Sequence, residues 1–150
     1  MELPLKIKLL TDAEGKQPPM PKYATEGSAA FDLTAFIREP VTVAPGGLCK
    51  IPTGIALEVP EGYAAFVFAR SGLGIRHGIC LSNGVGVIDS DYRGEIAVGL
   101  CNVSGETYQI LPGDRIAQVA LLPVWQAQFI PADTLSETKR NTGGFGSTGR

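Results

Sequence analysis

Long apolar runs, helical periodicity and an excess of basic residues are all missing from this sequence of 150 residues. No stretch of about 18 apolar residues occurs, which argues against a membrane-spanning helix. No segment of about 12 residues repeats its apolar positions with the period of an amphipathic helix. The 13 basic and 15 acidic residues give a net charge of −2, whereas a general nucleic-acid surface is basic. We therefore expect neither a membrane nor a nucleic acid as a partner.

Cysteine and histidine are also scarce. The three cysteines, Cys49, Cys80 and Cys101, are widely spaced, and their odd number is not that of a disulfide framework. The N-terminal segment also lacks the apolar core of a secretory signal. We therefore expect a reducing, cytoplasmic location without disulfides. A zinc site built from these thiols and His77 is an open alternative, although the spacing matches no known cluster. The favoured interpretation is that all four residues are structural.

Glycine and proline, in contrast, are abundant, with 19 and 11 residues. Together with many β-branched residues they predict short strands separated by turns. One short helical turn is expected at 71–75, with Ser71 as its cap. Many short strands in one domain predict an all-β barrel or jelly roll. The predicted strands are 5–10, 29–36, 41–44, 48–51, 54–59, 63–69, 79–82, 85–88, 95–103, 108–111 and 115–122.

Local patterns predict some details of this architecture. Turn residues predict a hairpin around Pro45–Gly47 and a second one, with carboxylates at its tip, within Gly86–Glu95. Successive residues of the strand Tyr63–Ala69 point to opposite faces, and the residues on both faces are apolar. We therefore expect both faces to be buried. Trp125 is expected to serve in packing rather than in binding.

The carboxylate of Asp89 is a candidate general base. It follows Val87 and Ile88, which have the pattern of buried residues, and a buried, held carboxylate suits acid–base chemistry. The alternative is an ordinary solvated turn. A calcium loop starting at Asp89 is excluded because Arg93 stands where an oxygen ligand is required.

Two further segments are candidates for anion binding. Arg70, Ser71 and Gly72 combine a guanidinium, a hydroxyl and accessible backbone N–H groups, with an ordinary capped turn as the alternative. The glycine-rich segment 143–149, following Arg140, could wrap phosphates with its backbone, with a frayed tail as the alternative. Phe145 favours the first interpretation of the tail, because a lone aromatic is unusual in a disposable glycine segment.

Taken together, these segments resemble the trimeric dUTPase family, whose members hydrolyse dUTP to dUMP and pyrophosphate. The resemblance covers roughly residues 5 to 149 and includes all five family motifs in order. Ala69 departs from the usual proline, which is expected to loosen the phosphate loop, and Asn141-Thr142 departs from a frequent glycine, which is expected to change tail ordering. The five matching segments are Ala29–Leu33, Arg70–Leu73, Asn83–Gly94, Gly113–Gln118, and Arg140 with Gly143–Gly149.

The resemblance implies a distorted β jelly roll that assembles as a homotrimer with active sites shared between subunits. Residues 1–134 would form the catalytic domain. Residues 135–150 would form a flexible, glycine-rich arm that closes over a neighbouring subunit's site. The reaction would keep uracil out of DNA and supply dUMP for dTMP synthesis.

The resemblance also implies roles for individual residues. Asp89 would be the general base for a water that attacks the α-phosphorus. A Mg²⁺ ion would bind to the phosphates, and Asp32 would contact this ion only through water. Arg140 would reach the γ-phosphate from the neighbouring chain, and Phe145 would stack on the uracil. The expected substrate contacts are Arg70, Ser71, Gly72 and Gln118 for the phosphates; Asn83, Val87, Ile88, Tyr92 and Ala97 for base and sugar; and Arg140, Phe145, Gly146 and Ser147 in the arm.

Two rival functions are considered. The nearer one is a dCTP deaminase of the same superfold, which would need a glutamate beside the exocyclic amine of the base. Gly86–Glu95 instead has the pattern of the hydrolase segment. The second rival is a catalytically silent jelly-roll module, and the presence of Asp89, Ser71 and the tail argues against it.

Overall fold

The computed structural model describes residues 3–144. Within this range the chain forms eleven strands and one helix, so the all-β prediction is confirmed. No helix in the described range is long and apolar enough to cross a membrane. The elements are β1 (Lys6–Leu9), β2 (Phe31–Thr34), β3 (Val41–Val43), β4 (Leu48–Pro52), β5 (Ile55–Glu58), β6 (Tyr63–Phe68), α1 (Ser71–His77), β7 (Ile79–Leu81), β8 (Gly86–Ile88), β9 (Ala97–Asn102), β10 (Tyr108–Ile110) and β11 (Arg115–Pro123).

The strands pair in four antiparallel sheets whose inner faces share one core. The sheet orders are β1-β5, β10-β3, β2-β11-β6-β8 and β4-β9-β7. The long strand β11 joins β2 to β6, two strands that lie far apart in the sequence. Alternate residues of the strands point inward, and Leu33, Ile51, Leu100, Ile116 and Val119 are almost completely buried. Burial of these side chains supplies most of the driving force for folding.

The two predicted hairpins are wrong, although both turns exist. At the first, the Gly47 N–H donates to the Ala44 carbonyl at 2.8 Å, but β3 pairs with β10 and β4 pairs with β9. At the second, β8 pairs with β6, and β9 lies between β4 and β7. The turn residues determine where the chain reverses, whereas distant apolar partners determine which strand it then joins.

The helix α1 differs from the predicted turn in its length and its cap. It runs from Ser71 to His77, and its N-cap residue is Arg70, without a capping hydrogen bond from a side chain. Ser71 is therefore not the cap but the first helical residue. The helix ends at Gly78, which has φ +66°, a left-handed conformation that glycine adopts without strain. The Ser71 hydroxyl is thus left accessible at the start of the helix.

Several apolar side chains expected to be buried are exposed in the single chain. Phe66 and Phe68 stack on one another with ring centroids 6.4 Å apart, but both remain half-buried on the outer face of β6. Trp125 is 97% exposed, so the prediction that it packs is wrong for the isolated chain. Residues 124–144 contain no strand or helix. Besides Trp125 they expose four large apolar residues, Val124, Phe129, Ile130 and Leu135.

Candidate functional site

The first group of predicted site residues lies in a cleft of about 470 Å³, here called the Arg70 cleft. It lies where β2 and β11 meet the end of β6 and the start of α1. Its residues include Ser28, Asp32, Phe68, Arg70, Ser71 and Gln118. The structure thus brings together residues from three segments that are far apart in the sequence, namely those around positions 30, 70 and 118.

An ion-pair network spans this cleft. The Arg70 Nε donates to Asp32 Oδ1 at 2.8 Å, and the Arg115 Nη1 donates to Asp32 Oδ2 at 3.2 Å. The side chains of Asp32 and Arg70 are 21% and 23% exposed, whereas that of Arg115 is 56% exposed. One carboxylate therefore holds two guanidinium groups, which leaves the cleft with an excess of positive charge that suits an anion.

Gln118 supports the same cleft from β11. Its Nε2 donates to the Ala69 carbonyl at 2.9 Å, which fixes the backbone immediately before Arg70. Because the accepting group is a carbonyl, this contact does not depend on which side chain residue 69 carries. The amide oxygen of Gln118 remains as an acceptor beside the cleft.

The second group lies in another cleft, of about 370 Å³, here called the Tyr92 cleft. It is formed by β8, the loop that follows it, and the beginning of β9. Its residues include Asn83, Gly86, Val87, Ile88, Tyr92 and Ala97. Because β8 is one of the two edge strands of its sheet, its outer side presents backbone N–H and C=O groups that are available to a ligand.

The loop between β8 and β9 is held by its own hydrogen bonds. The Tyr92 N–H donates to the Asp89 carbonyl at 3.2 Å. The Arg93 Nη1 donates to the carbonyls of Ser90 at 2.6 Å and Tyr92 at 2.9 Å. These bonds close the loop on itself and fix the direction in which the Asp89 side chain leaves the backbone.

The burial expected around Asp89 is only partly present. Ile88 is buried, but Val87 is 58% exposed because it lies on the outer side of an edge strand. Asp89 itself is exposed. The inference from burial to a held carboxylate is therefore wrong for the single chain. Asp89 directly follows Ile88, which lines the Tyr92 cleft, but Asp89 is not among the residues that line either cleft.

The two clefts do not meet within one chain. Among the described residues, no side chain lines both. Val67 and Phe68 are neighbours on β6. Val67 lines the Tyr92 cleft, and Phe68 lines the Arg70 cleft. Consecutive side chains of a strand point to opposite faces, so one copy of β6 presents the two clefts on opposite sides. The predicted site residues consequently form two separate half-sites.

Comparisons with known proteins relate this arrangement to a family. The family model for dUTPase matches residues 16–149. The chain belongs to the dUTPase family. It is 52% identical to the deoxyuridine 5'-triphosphate nucleotidohydrolase of Desulfitobacterium hafniense, with 97% of each chain covered. It is 48% identical to the protein of the same name from Anaplasma marginale, covering 97% of this chain and 99% of the relative.

Solved structures show the same fold. The dUTPase of Staphylococcus bacteriophage 80alpha, determined with dUpNHpp, matches with a TM-score of 0.85 at 24% identity, covering 98% of this chain and 99% of the phage chain. A phage phi11 dUTPase of S. aureus, described for its coordination of a structural Mg(II) ion, matches with a TM-score of 0.76 at 24% identity, covering 88% and 98%. The predicted jelly-roll fold of the family is thereby confirmed.

The arm that the family resemblance implies is only partly described. Arg140 is exposed and its Nε donates to the Gly143 carbonyl at 2.8 Å, so it contacts neither cleft in this chain. Asn141 has φ +43°, a left-handed conformation that asparagine tolerates better than most residues. This residue therefore fits the position where many dUTPases have glycine. The predicted contacts Phe145, Gly146 and Ser147 lie outside the described residues.

The residues of the alternative zinc site are not gathered in this dUTPase-family chain. The His77 ring packs on Tyr108, with centroids 4.9 Å apart. Cys80 and Cys101 are opposite one another on β7 and β9, and Cys49 lies on β4. Burial, and secondarily Cys101, raises the pKa of the Cys49 thiol. Among residues 3–144, no cluster of three metal-binding side chains is formed.

Arg115 and Glu95 are contributors that the sequence interpretation missed. Arg115 follows directly after a recognised turn, in the same motif as Gln118, but nothing local showed that it would reach Asp32. Glu95 directly follows the third motif, Asn83–Gly94, and accepts the Gly54 N–H at 2.9 Å. Both contacts join residues more than 40 positions apart, so local patterns alone do not reveal them.

Proposed function

We propose that this protein hydrolyses dUTP to dUMP and pyrophosphate. Membership of the dUTPase family supports this reaction, as do the relatives named deoxyuridine 5'-triphosphate nucleotidohydrolase. The observation that carries the proposal is the division of the site residues between two clefts of different chemistry. One cleft is cationic and suits a triphosphate, and the other has an exposed strand edge that suits a base.

The Arg70 cleft would bind the triphosphate. The substrate carries about four negative charges, and the protein has a net charge of −2, so the attraction must be local. Arg70, the Ser71 hydroxyl and the backbone N–H groups at Ser71 and Gly72 would donate to phosphate oxygens. Gln118 would keep Arg70 in place through the Ala69 carbonyl. Arg115 would add a second positive charge at the edge of the cleft.

The residues present also fit a magnesium ion bound mainly by substrate. Asp32 is the one carboxylate that residues 3–144 contribute to the lining of the Arg70 cleft, and both of its oxygens are already bonded to arginines. Direct ligation would have to break these bonds, so an approach through water is favoured. Magnesium typically keeps several waters and binds phosphate oxygens. When bound, it would neutralise phosphate charge during the reaction.

Asp89 would act as the general base. A carboxylate can accept a proton from a water poised beside the α-phosphorus. The loop bonds made by Tyr92 and Arg93 hold the backbone of Asp89, which limits its orientations. The attacking oxygen forms a bond to the α-phosphorus as the bond to the pyrophosphate oxygen breaks, and the proton passes to Asp89.

The Tyr92 cleft would select the nucleoside. Uracil presents an acceptor, a donor and an acceptor, which the backbone around Val87, Ile88 and Ala97 can match. Cytosine reverses part of this pattern and would leave buried groups unpaired, which is strongly unfavourable. Asn83 lines the same cleft and offers an amide to the base or to a water. The Tyr92 ring would lie under the deoxyribose and exclude a 2′-hydroxyl.

The proposal further includes a homotrimer in which each site combines the Arg70 cleft of one chain with the Tyr92 cleft of another. The position of the clefts on opposite sides of β6 supports this assembly. Exposed apolar side chains also support it. One segment of the chain carries Trp125, Phe129, Ile130 and Leu135, which have little cover in their own chain, and a concentration of exposed apolar residues is typical of protein contact sites. The arm would then carry Arg140, Phe145, Gly146 and Ser147 to a neighbour's site.

In the cell, an enzyme of this kind would act in the cytoplasm. It would lower the dUTP available to DNA polymerases and supply dUMP for dTMP synthesis.

Pyrophosphate release tests the proposal. The purified protein is assayed with Mg²⁺ and, in turn, dUTP, dCTP, dTTP and UTP, with EDTA-treated reactions as controls. We expect turnover with dUTP alone and its loss in EDTA. Ammonia release from dCTP would instead identify a deaminase. Absence of pyrophosphate release from all four nucleotides would support the silent module.

A further inference from the structure

The Tyr92 ring is folded back over its own loop. Its hydroxyl donates to the Glu95 carbonyl at 3.0 Å, and its ring lies so close over Gly94 that a Cβ added there would overlap the hydroxyl and the ring. The ring is therefore fixed relative to the Gly94–Glu95 backbone. Whatever holds that backbone also determines where the ring stands in the Tyr92 cleft.

The Glu95 carboxylate attaches this backbone to the body of the fold. Its Oε1 accepts the N–H of Gly54 at 2.9 Å. Gly54 is buried and has φ +69°, and a Cβ there would overlap Phe36 and Pro18, so the corner between β4 and β5 has little freedom to move. The Gly54 N–H, which is the donor of this hydrogen bond, is thus held in a fixed position.

Two neighbouring bonds hold the next residue on the same corner. The Thr53 hydroxyl donates to the Ile96 carbonyl at 2.5 Å, and the Ile96 N–H donates to the Ile55 carbonyl at 2.9 Å. The Ile96 N–H lies in the same planar peptide group as the Glu95 carbonyl, so these bonds hold the C-terminal side of Glu95. The Glu95 carboxylate adds a second attachment of this residue to the same corner, through the Gly54 N–H.

We propose that Glu95 is a positioning residue that determines sugar selectivity by holding the Tyr92 ring in place. The inference rests on the proposed function, in which the ring excludes the ribose 2′-hydroxyl. It assigns Glu95 no contact with the reacting atoms. Its effect passes from the Gly54 N–H through the carboxylate to the carbonyl that binds the Tyr92 hydroxyl.

Three variants separate the hydrogen bond from the charge. Glu95→Gln keeps an oxygen that can accept the Gly54 N–H but loses the charge. Glu95→Asp keeps the charge but is one methylene shorter, so it no longer reaches Gly54. Glu95→Ala loses both. Glu61→Ala, which removes an exposed carboxylate without a hydrogen bond among the described residues, is the matched control.

Two readouts are measured in the full chain. The first is the ratio of kcat/KM for dUTP to that for UTP. The second is hydrogen exchange at the Gly54 amide, which reports the anchor without reference to activity. For Glu95→Ala and Glu95→Asp we expect faster exchange and a ratio lower by about tenfold or more, from a higher KM for dUTP and admission of UTP. Glu95→Gln and Glu61→Ala should match the wild-type protein in both.

The inference is overturned if Glu95→Asp keeps the wild-type ratio, or if Glu95→Gln is impaired as much as Glu95→Asp. Should Glu95→Ala fail to fold, the Gln and Asp variants still decide the question. A wild-type protein that releases no pyrophosphate from dUTP would refute the proposed function itself. An active wild-type protein with an unchanged ratio in the Asp variant would overturn only the role of Glu95.

Discussion

Replacement of Asp32 by asparagine tests the ion-pair network of the Arg70 cleft. The carboxylate accepts the Arg70 Nε at 2.8 Å and the Arg115 Nη1 at 3.2 Å. Asparagine has nearly the same shape, but one of its two polar atoms is a donor, which would face a guanidinium. The two arginines would also lose the negative charge that separates them.

The size of the effect follows from burial. Exposed ion pairs contribute about 0–1 kcal/mol, whereas breaking a fully buried pair costs about 3–5 kcal/mol. The Asp32 and Arg70 side chains are about one-fifth exposed, and Arg115 is more than half exposed. We therefore expect Asp32→Asn to lower the free energy of unfolding by about 2 kcal/mol, mostly through Arg70. For a domain of this size that corresponds to a fall in Tm of about 4–8 °C.

Urea denaturation at a fixed protein concentration measures this change. Asp91→Asn is the control, because Asp91 is exposed and has no hydrogen bond or ion pair among the described residues; it should change stability by less than about 0.5 kcal/mol. If Asp32→Asn is no less stable than Asp91→Asn, the network does not contribute to stability and the reasoning is refuted.

Three more predictions concern the base, the arm and pH. Asp89→Asn should lower dUTP turnover by about 10²–10⁴-fold while KM and unfolding change little; retained turnover would exclude Asp89 as the base. Deletion of residues 139–150 should reduce turnover but leave Tm nearly unchanged, and a fully active truncation would assign the arm no role. The pKa of Asp12 is lowered mainly by a hydrogen bond from the backbone N–H of Lys16. The backbone N–H of Glu14 and the charge of Arg38 lower it further. A carboxylate whose pKa is lower in the folded than in the unfolded state stabilises the fold above the unfolded pKa, and this stabilisation is lost as the pH falls through the folded pKa. The stability advantage of the wild type over Asp12→Asn should therefore shrink below about pH 4. A difference that stays constant from pH 7 to pH 2 would contradict this cause.

Local sequence patterns predicted where the strands lie. The last long apolar run was expected at 115–122, and the observed strand is Arg115–Pro123. The run at 48–51 corresponds to Leu48–Pro52. Such agreement is expected because turn residues and strand propensity act between near neighbours. Composition and spacing were therefore sufficient for the fold class.

Strand pairing and the grouping of the site could not be obtained in the same way. The local sequence pattern predicts that Val87 is buried, but it lies on the outer side of an edge strand. Its exposure depends on how β8 pairs with β6 and not on the residues next to it in the sequence. The bonds from Arg115 to Asp32 and from Gly54 to Glu95 join distant segments. The family motifs identified the residues of both clefts, but only the structure shows that one chain presents them on opposite sides of β6.

Complementation between two impaired variants tests this division most directly. Asp89→Asn damages the Tyr92-cleft side, and Ser71→Ala damages the Arg70 cleft by removing a hydroxyl that makes no capping bond. The variants are unfolded, mixed in equal amounts and refolded together. If each site of a homotrimer takes one cleft from each of two chains, random assembly restores about one-quarter of wild-type dUTP turnover, because three-quarters of trimers are mixed and each has one intact site of three. A chain carrying both substitutions, mixed with Asp89→Asn, should restore none. Turnover in the first mixture no greater than the average of the separate variants would contradict the shared site.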